Sequence, residues 1–140
     1  MARFLDTNIL MRYFTNDDPA KAEAAFALLQ RIERDEERVV ISPLVIFEAI
    51  FLLERRYKVA KADIREQVGD VLSLRSLHLT EKSLCRDALD VYVEKNISYP
   101  DAYHAVWMRA RDITEVYSWD REFDRIPELT RIEPDNASSA

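Results

Sequence analysis

Short apolar runs alternate with amphipathic stretches along this chain, and the first run is the most sharply bounded. Residues 3–5 predict a buried strand that ends at Asp6. Residues 7–14 then predict a short helix, for which Asp6 or Thr7 is the N-cap. A carboxylate placed where a first strand turns into a helix lies where open α/β sheets bind their ligands. Asp6 is therefore the first candidate functional residue.

The same alternation continues to the end of the chain. Three further apolar runs and one candidate edge strand are found at residues 39–41, 77–79, 116–117 and 130–132. Helices are predicted over residues 19–35, 43–57, 61–73, 81–95 and from 99 onwards, with a helical turn at 121–126. Short strands alternating with helices predict a three-layer α/β/α domain with a central, mainly parallel sheet of roughly four to five strands.

Length and composition are those of one ordinary globular domain. The chain has 140 residues, of which 48% are hydrophobic and 33% charged, so it can bury a single core. No repeat or linker interrupts the pattern. We expect one domain over residues 1–135 and a disordered polar tail at 136–140.

Several classes of function are excluded by residue counts. Gly69 is the only glycine, which excludes the glycine-rich loops that bind nucleotides. Cys85 is the only cysteine, so neither an internal disulfide nor a thiolate metal site can form. With only His78 and His104, a zinc site would need carboxylate ligands.

Charge and hydropathy bear on location and partners. The chain begins without a secretory signal pattern, and its longest apolar run, 44–53, is interrupted by Glu48 and is shorter than the ~18 residues of a membrane span. We therefore expect a cytoplasmic protein with no membrane segment. The net charge of −6 argues against non-specific nucleic-acid binding. A nucleic-acid enzyme whose metal ions and arginines contact the phosphates remains compatible with it.

Three further acids stand out by their positions. Glu48 is the only charge in an apolar helical segment, and burying a lone carboxylate is costly, so a cation, a metal or Arg12 is expected beside it. Asp101 lies in the first turn of a predicted helix. Asp120 follows the fourth strand as Asp6 follows the first.

These acids can meet if the first and fourth strands are neighbours in a parallel sheet. Asp6 and Asp120 would then lie at one sheet edge, with Glu48 and Asp101 facing them. A cluster made only of carboxylates favours Mg²⁺ or Mn²⁺, which support hydrolysis at phosphorus. Each acid also has an ordinary interpretation, because aspartates are common as helix caps, first-turn residues and turn residues.

Four short motifs carry the acids. They are Asp6-Thr7-Asn8-Ile9-Leu10, Ser42-Pro43 leading to Glu48, Tyr99-Pro100-Asp101-Ala102 and Ser118-Trp119-Asp120-Arg121. In this order and spacing they resemble PIN-domain ribonucleases of the VapC toxin type over nearly the whole chain. The family usually has Thr-Phe before its last acid, where this chain has Ser118-Trp119.

The resemblance implies a site and assigns roles to its residues. The catalytic and metal-binding acids would be Asp6, Glu48, Asp101 and Asp120. Of these, Asp6 and Asp101 would be the direct ligands. Thr7 and Asn8 would support Asp6 and the water around the metal, and Asp124 would be an auxiliary acid.

The resulting interpretation is a Mg²⁺-dependent endoribonuclease, with Mn²⁺ as a substitute, that uses activated water and leaves 5′-phosphate and 3′-hydroxyl ends. The resemblance further implies the toxin of a toxin–antitoxin pair, with RNA as substrate, a small cognate antitoxin as partner and a homodimer as the assembly. Candidate contacts for the RNA backbone are Arg12, Arg109, Arg121 and Arg125.

Two other classes of function remain open from the sequence. One is a catalytically silent PIN-fold binding module. The other is an aspartyl-phosphate phosphotransfer or receiver domain with Asp6 as nucleophile. Asn8 disfavours the latter, because phosphatases of that type usually have a second aspartate at that position.

Overall fold

Five parallel strands form two ladders in the computed structural model, which describes residues 2–135. The first ladder has the order β1-β2-β3, with β1 at Arg3–Phe4, β2 at Val39–Ile41 and β3 at Leu77–Leu79. The second pairs β4, Glu115–Tyr117, with β5, Thr130–Ile132. The predicted α/β class and parallel pairing are confirmed. The strands divide three and two between the ladders.

Six α-helices and one 3-10 helix accompany these strands in the described part of the chain. They are α1 Thr7–Phe14, α2 Pro19–Glu33, α3 Pro43–Arg55, α4 Lys61–Leu72, α5 Lys82–Glu94, α6 Tyr99–Ala110 and the 3-10 helix Arg121–Arg125. Asp6, Asp18 and Ser98 each cap a helix by accepting a backbone N–H. None of these helices is both long and apolar enough to cross a membrane.

Four helices, α2 to α5, end slightly earlier than the periodicity predicts, and left-handed residues follow three of them. Asp35, Lys58 and Asn96 follow α2, α3 and α5, and their φ angles are 61°, 57° and 51°. A left-handed residue takes the chain out of the helical path, so the helix ends before it. Apolar periodicity does not register this change of backbone region, so the helix predicted over 19–35 included Asp35, and those predicted over 43–57 and 81–95 continued up to the residue before Lys58 and Asn96.

The chain divides between Arg86 and Asp87 into two compact units. The core of the first is made of aliphatic side chains, including Leu10, Ile32, Ile46, Ile50, Leu53, Ile64, Leu72 and Leu77. In the second, Tyr92 and Tyr99 pack edge to face at 5.9 Å, and Phe123 is buried. The single domain over residues 1–135 stays a prediction, and the predicted tail at 136–140 lies outside the described residues.

The three-stranded ladder has one buried and one exposed face. Val39 and Leu77 are buried, whereas Phe4, Val40 and His78, which are paired in register across the strands, are exposed. Successive strand residues point to opposite faces, so a short apolar run need not be buried throughout. The expectation that the first strand is buried is therefore wrong for Phe4, which is 61% exposed.

Candidate active site

The first unit contains a cavity of about 340 Å³ at the start of α1 and beside α3. Asp6 and Glu48 both line it, although they are far apart in the sequence. Thr7 and Asn8, the predicted supporting residues, line it as well. The first unit therefore brings together two of the four predicted acids and both of their predicted supports.

Asp6 is held in place by its role as helix cap. Its backbone is extended, with φ −79° and ψ 155°, and its Oδ1 accepts the Thr7 N–H at 2.8 Å. Its Oδ2 has no hydrogen-bond donor among the described residues. Thr7 is buried beneath it, whereas the Asp6 side chain is exposed to the cavity. The capping role thus orients the carboxylate and leaves one oxygen for a ligand.

Glu48 is exposed, which corrects the prediction that it lies inside an apolar environment. One side of α3 is buried through Val45, Ile46, Ala49, Ile50 and Leu53. The other side carries apolar residues on the surface, with Leu44 72% and Phe51 60% exposed. Glu48 therefore needs no partner to offset desolvation, and it forms no ion pair with Arg12 among the described residues.

The second unit contains a trio of carboxylates formed by Asp101, Asp120 and Glu122. Each contributes one oxygen, and these three oxygens lie within 4.8 Å of one another. Asp101 lies in the first turn of α6, and Asp120 is the N-cap of the 3-10 helix. Two predicted acids therefore meet in this unit, together with a third that the sequence did not single out.

Main-chain hydrogen bonds hold the trio in position. The Asp120 carboxylate accepts the Glu122 N–H at 2.9 Å. Glu122 in turn accepts the Ser98 N–H at 3.1 Å, while the Ser98 hydroxyl accepts the Asp101 N–H at 3.3 Å. The hydroxyl of Ser118 accepts the Asp120 N–H at 2.9 Å. The start of α6 and the 3-10 helix are thereby tied together through the acids themselves.

The pKa values of Asp101 and Asp120 move in opposite directions. Burial first, then the hydrogen bond and negative charge of Asp120, and then those of Glu122 together raise the pKa of Asp101 to about 7. The pKa of Asp120 is lowered, chiefly because it accepts that hydrogen bond from Asp101. Without a cation, the two aspartates therefore share one proton near neutral pH.

Asp101 also has an oxygen with no donor. Its Oδ2 is buried, and no N–H or hydroxyl of the described residues reaches it; only a proton shared with another carboxylate can satisfy it. Three clustered hard oxygen donors with one such unsatisfied atom fit a divalent cation of the Mg²⁺ or Mn²⁺ type. The residues present in the second unit thus suit the metal that the sequence predicts.

Asp124 lies outside the trio. Its carboxylate accepts hydrogen bonds from the Arg131 guanidinium at 2.9 and 3.4 Å, which ties the 3-10 helix to β5. Glu122, which sequence reasoning missed, occupies the third place. The one sequence feature that could have identified Glu122 is its position two residues after Asp120, within a predicted helical turn. Its direction depends on Ser98, which is 24 positions away in the sequence.

The chain belongs to the PIN-domain family, whose model matches residues 3–129. It is 25% identical over 124 residues to a VapC ribonuclease of Aquifex aeolicus, covering 89% of this chain and 91% of that protein. It is also 29% identical over 130 residues to ribonuclease VapC13 of Mycobacterium tuberculosis, covering 91% of this chain and 97% of that protein. The resemblance inferred from the four motifs is confirmed.

Proposed function

We propose that this chain is a metal-dependent endoribonuclease. The observation that carries the proposal is the buried, donor-free oxygen of Asp101 within a trio of carboxylates. A structural role does not explain it, because an unsatisfied acid beside two others opposes folding at neutral pH. A divalent cation removes that cost, and the similar proteins are named ribonucleases.

The proposal keeps Asp6, Glu48, Asp101 and Asp120 as catalytic and metal-binding acids, and it adds Glu122 as a ligand beside Asp101 and Asp120. Mg²⁺ supplies Lewis acidity at the phosphate, and Mn²⁺ can replace it. The oxygen of a water molecule would bond to phosphorus as the P–O3′ bond breaks; the water gives up one proton to solvent and the leaving 3′ oxygen takes one up, which gives 5′-phosphate and 3′-hydroxyl ends. Asp101 would release its proton to solvent on binding a cation, and Thr7, whose N–H donates to Asp6, would hold that carboxylate at the cavity, with Asn8 as the second supporting residue on the cavity wall.

The proposal includes the partners that the family resemblance implies. The chain acts as the toxin of a toxin–antitoxin pair in the cytoplasm, and a small cognate antitoxin blocks its acids. The exposed apolar residues Leu44 and Phe51 on α3 support a homodimer, because such a surface favours a protein contact.

The direct test uses purified protein freed of antitoxin and incubated with RNA and Mg²⁺. We expect cleavage by the unmodified chain and loss of at least about a hundredfold in rate with Asp6→Asn or Asp101→Asn. Asp63→Asn is the matched control, since Asp63 is an exposed first-turn acid of α4. Mapping of the RNA ends should find 5′-phosphates.

Three results would contradict the proposal. Equal cleavage by Asp6→Asn, Asp101→Asn and Asp63→Asn would show that another residue or a contaminant cuts the RNA. Metal binding without any cleavage by the unmodified chain would favour the catalytically silent binding module. Phosphate trapped covalently on Asp6 would instead indicate the aspartyl-phosphate class.

A further inference from the structure

The cavity that contains Asp6 and Glu48 is also lined by two arginines, Arg12 and Arg56. Arg12 comes from the last turn of α1, and Arg56 is the residue that ends α3. Together they place two guanidinium groups on a cavity that also contains Asp6 and Glu48, two of the acids of the proposed nuclease.

Neither arginine forms an ion pair within the described residues. Arg12 is half-buried and makes no side-chain hydrogen bond or ion pair there. The Arg56 guanidinium lies over the Tyr57 ring at 5.8 Å, and Tyr57 donates its hydroxyl hydrogen bond to Asp17. Stacking on a restrained ring orients Arg56 while leaving its N–H groups free to donate.

The other arginines that the sequence proposed for RNA are placed differently. Arg109 pairs with Glu128, and Arg125 donates to the backbone oxygens of Lys95 and Asn96. Arg121 is exposed on the 3-10 helix and lines none of the described cavities. Of the four arginines proposed from the sequence, only Arg12 lines this cavity. Arg56, which the sequence did not single out, lines it as well.

We propose that Arg12 and Arg56, here called the arginine pair, bind backbone phosphates of single-stranded RNA beside Asp6 and Glu48. A guanidinium donates two parallel N–H groups to phosphate oxygens, which suits contacts that do not depend on base identity. This inference rests on the proposed nuclease function and names the residues that would position its substrate.

The charges of the cavity set a condition on this binding. Asp6, Asp17 and Glu48 outweigh the arginine pair by one negative charge, so the cavity alone repels a phosphate. A divalent cation held by Asp6 and Glu48 would reverse the balance. RNA binding at the arginine pair should therefore require both the guanidinium groups and a divalent cation.

The experiment measures binding of a fluorescent single-stranded RNA of mixed sequence by anisotropy, with Ca²⁺ in place of Mg²⁺. Affinity is followed against salt concentration for the unmodified protein, Arg12→Gln and Arg56→Gln. Each variant should bind about fivefold more weakly and lower the slope of log affinity against log salt by about 0.7, the value for one phosphate contact in a single strand.

Arg55→Gln is the matched control. Arg55 precedes Arg56 on α3, but its guanidinium faces Phe51 at 6.0 Å and does not line the cavity. Its variant should keep the slope of the unmodified protein. Arg12→Lys should keep most of the slope, since the charge remains, which separates a phosphate contact from a packing role.

The proposed role of the arginine pair would be overturned if all three glutamine variants, at Arg12, Arg56 and Arg55, gave the same slope. Their circular dichroism and melting temperatures must be unchanged for this comparison. The outcome is separate from that of the nuclease proposal. Cleavage of RNA with unaltered slopes contradicts only the arginine pair. Slopes that fall as expected, in a protein that never cleaves RNA, contradict only the nuclease and support the arginine pair.

Discussion

One oxygen of Asp101 and one oxygen of Asp120 lie within 4.8 Å of each other, and the pKa values of the two carboxyl groups move in opposite directions. The pKa of Asp101 is about 7 because of burial first and the neighbouring acids second, whereas the pKa of Asp120 lies below its usual value. Without a cation, it is unfavourable for both aspartates to be ionised at neutral pH. A bound divalent cation offsets their negative charges, so the pair favours cation binding. Stability, metal binding and activity are therefore linked through Asp101.

The first prediction concerns the stability of the metal-free protein. Folded Asp101 binds its proton more tightly than the unfolded chain, so stability should fall as pH rises from about 4 to about 7. The lowered pKa of Asp120 acts in the opposite direction, but only near and below pH 4. In the presence of a chelator, Asp101→Asn should raise the melting temperature by about 3 °C at about pH 7.5 and by clearly less at about pH 5.

Thermal denaturation followed by circular dichroism at the two pH values measures this difference. Asp63→Asn is the control and should show no such pH dependence, since Asp63 is exposed on α4. An equal gain at both pH values for Asp101→Asn would mean that a shared proton is not the cause.

The second prediction concerns Glu122, the acid that completes the trio. Glu122→Gln keeps the size of the side chain and its bond to the Ser98 N–H, but it removes one negative charge. Affinity for Mn²⁺ should fall by about tenfold, which is the lower end of the loss seen when a group that supports a metal site is removed. Isothermal titration calorimetry at about pH 8, where Asp101 is largely ionised, gives the affinity directly. An unchanged affinity would exclude Glu122 as a ligand.

The third prediction separates Asp124 from the metal-binding acids. Its carboxylate is bound by Arg131 and lies 49% exposed, so Asp124→Asn should cost less than about 1 kcal/mol of unfolding free energy. RNA cleavage should stay within about twofold of the unmodified protein. Asp120→Asn, measured in the same assay, should lose most of the activity. Comparable losses in both variants would restore Asp124 as an auxiliary acid.

The fourth prediction concerns the exposed apolar side of α3. Phe51→Asp should convert a homodimer into a monomer, because a charge there opposes burial against a second copy. The melting temperature of the monomer should change little, since Phe51 is 60% exposed within one chain. Light scattering after size-exclusion chromatography measures the mass. Ile113→Asp, on an exposed residue of the second unit, is the control. A dimer in both variants would place the contact elsewhere.

Local features of the sequence were sufficient for much of the fold. The bounds of α1, Thr7–Phe14, and of β2 and β3 agree with the pattern, because apolar periodicity and a capping aspartate act within a few residues. The same is true of Asp6 and Asp101, whose positions at the start of a helix are local properties. Family membership followed from four short motifs read in order.

Other features depended on residues that are distant in the chain. Glu48 is exposed because tertiary packing covers only one side of α3, and an apolar helix does not reveal which side that is. Glu122 joins the trio because Ser98 orients it, and Arg12 is available because no acid reaches it among the described residues. Hydrophobic patterning and capping are local and can be predicted, whereas burial and charge pairing arise only when distant segments pack.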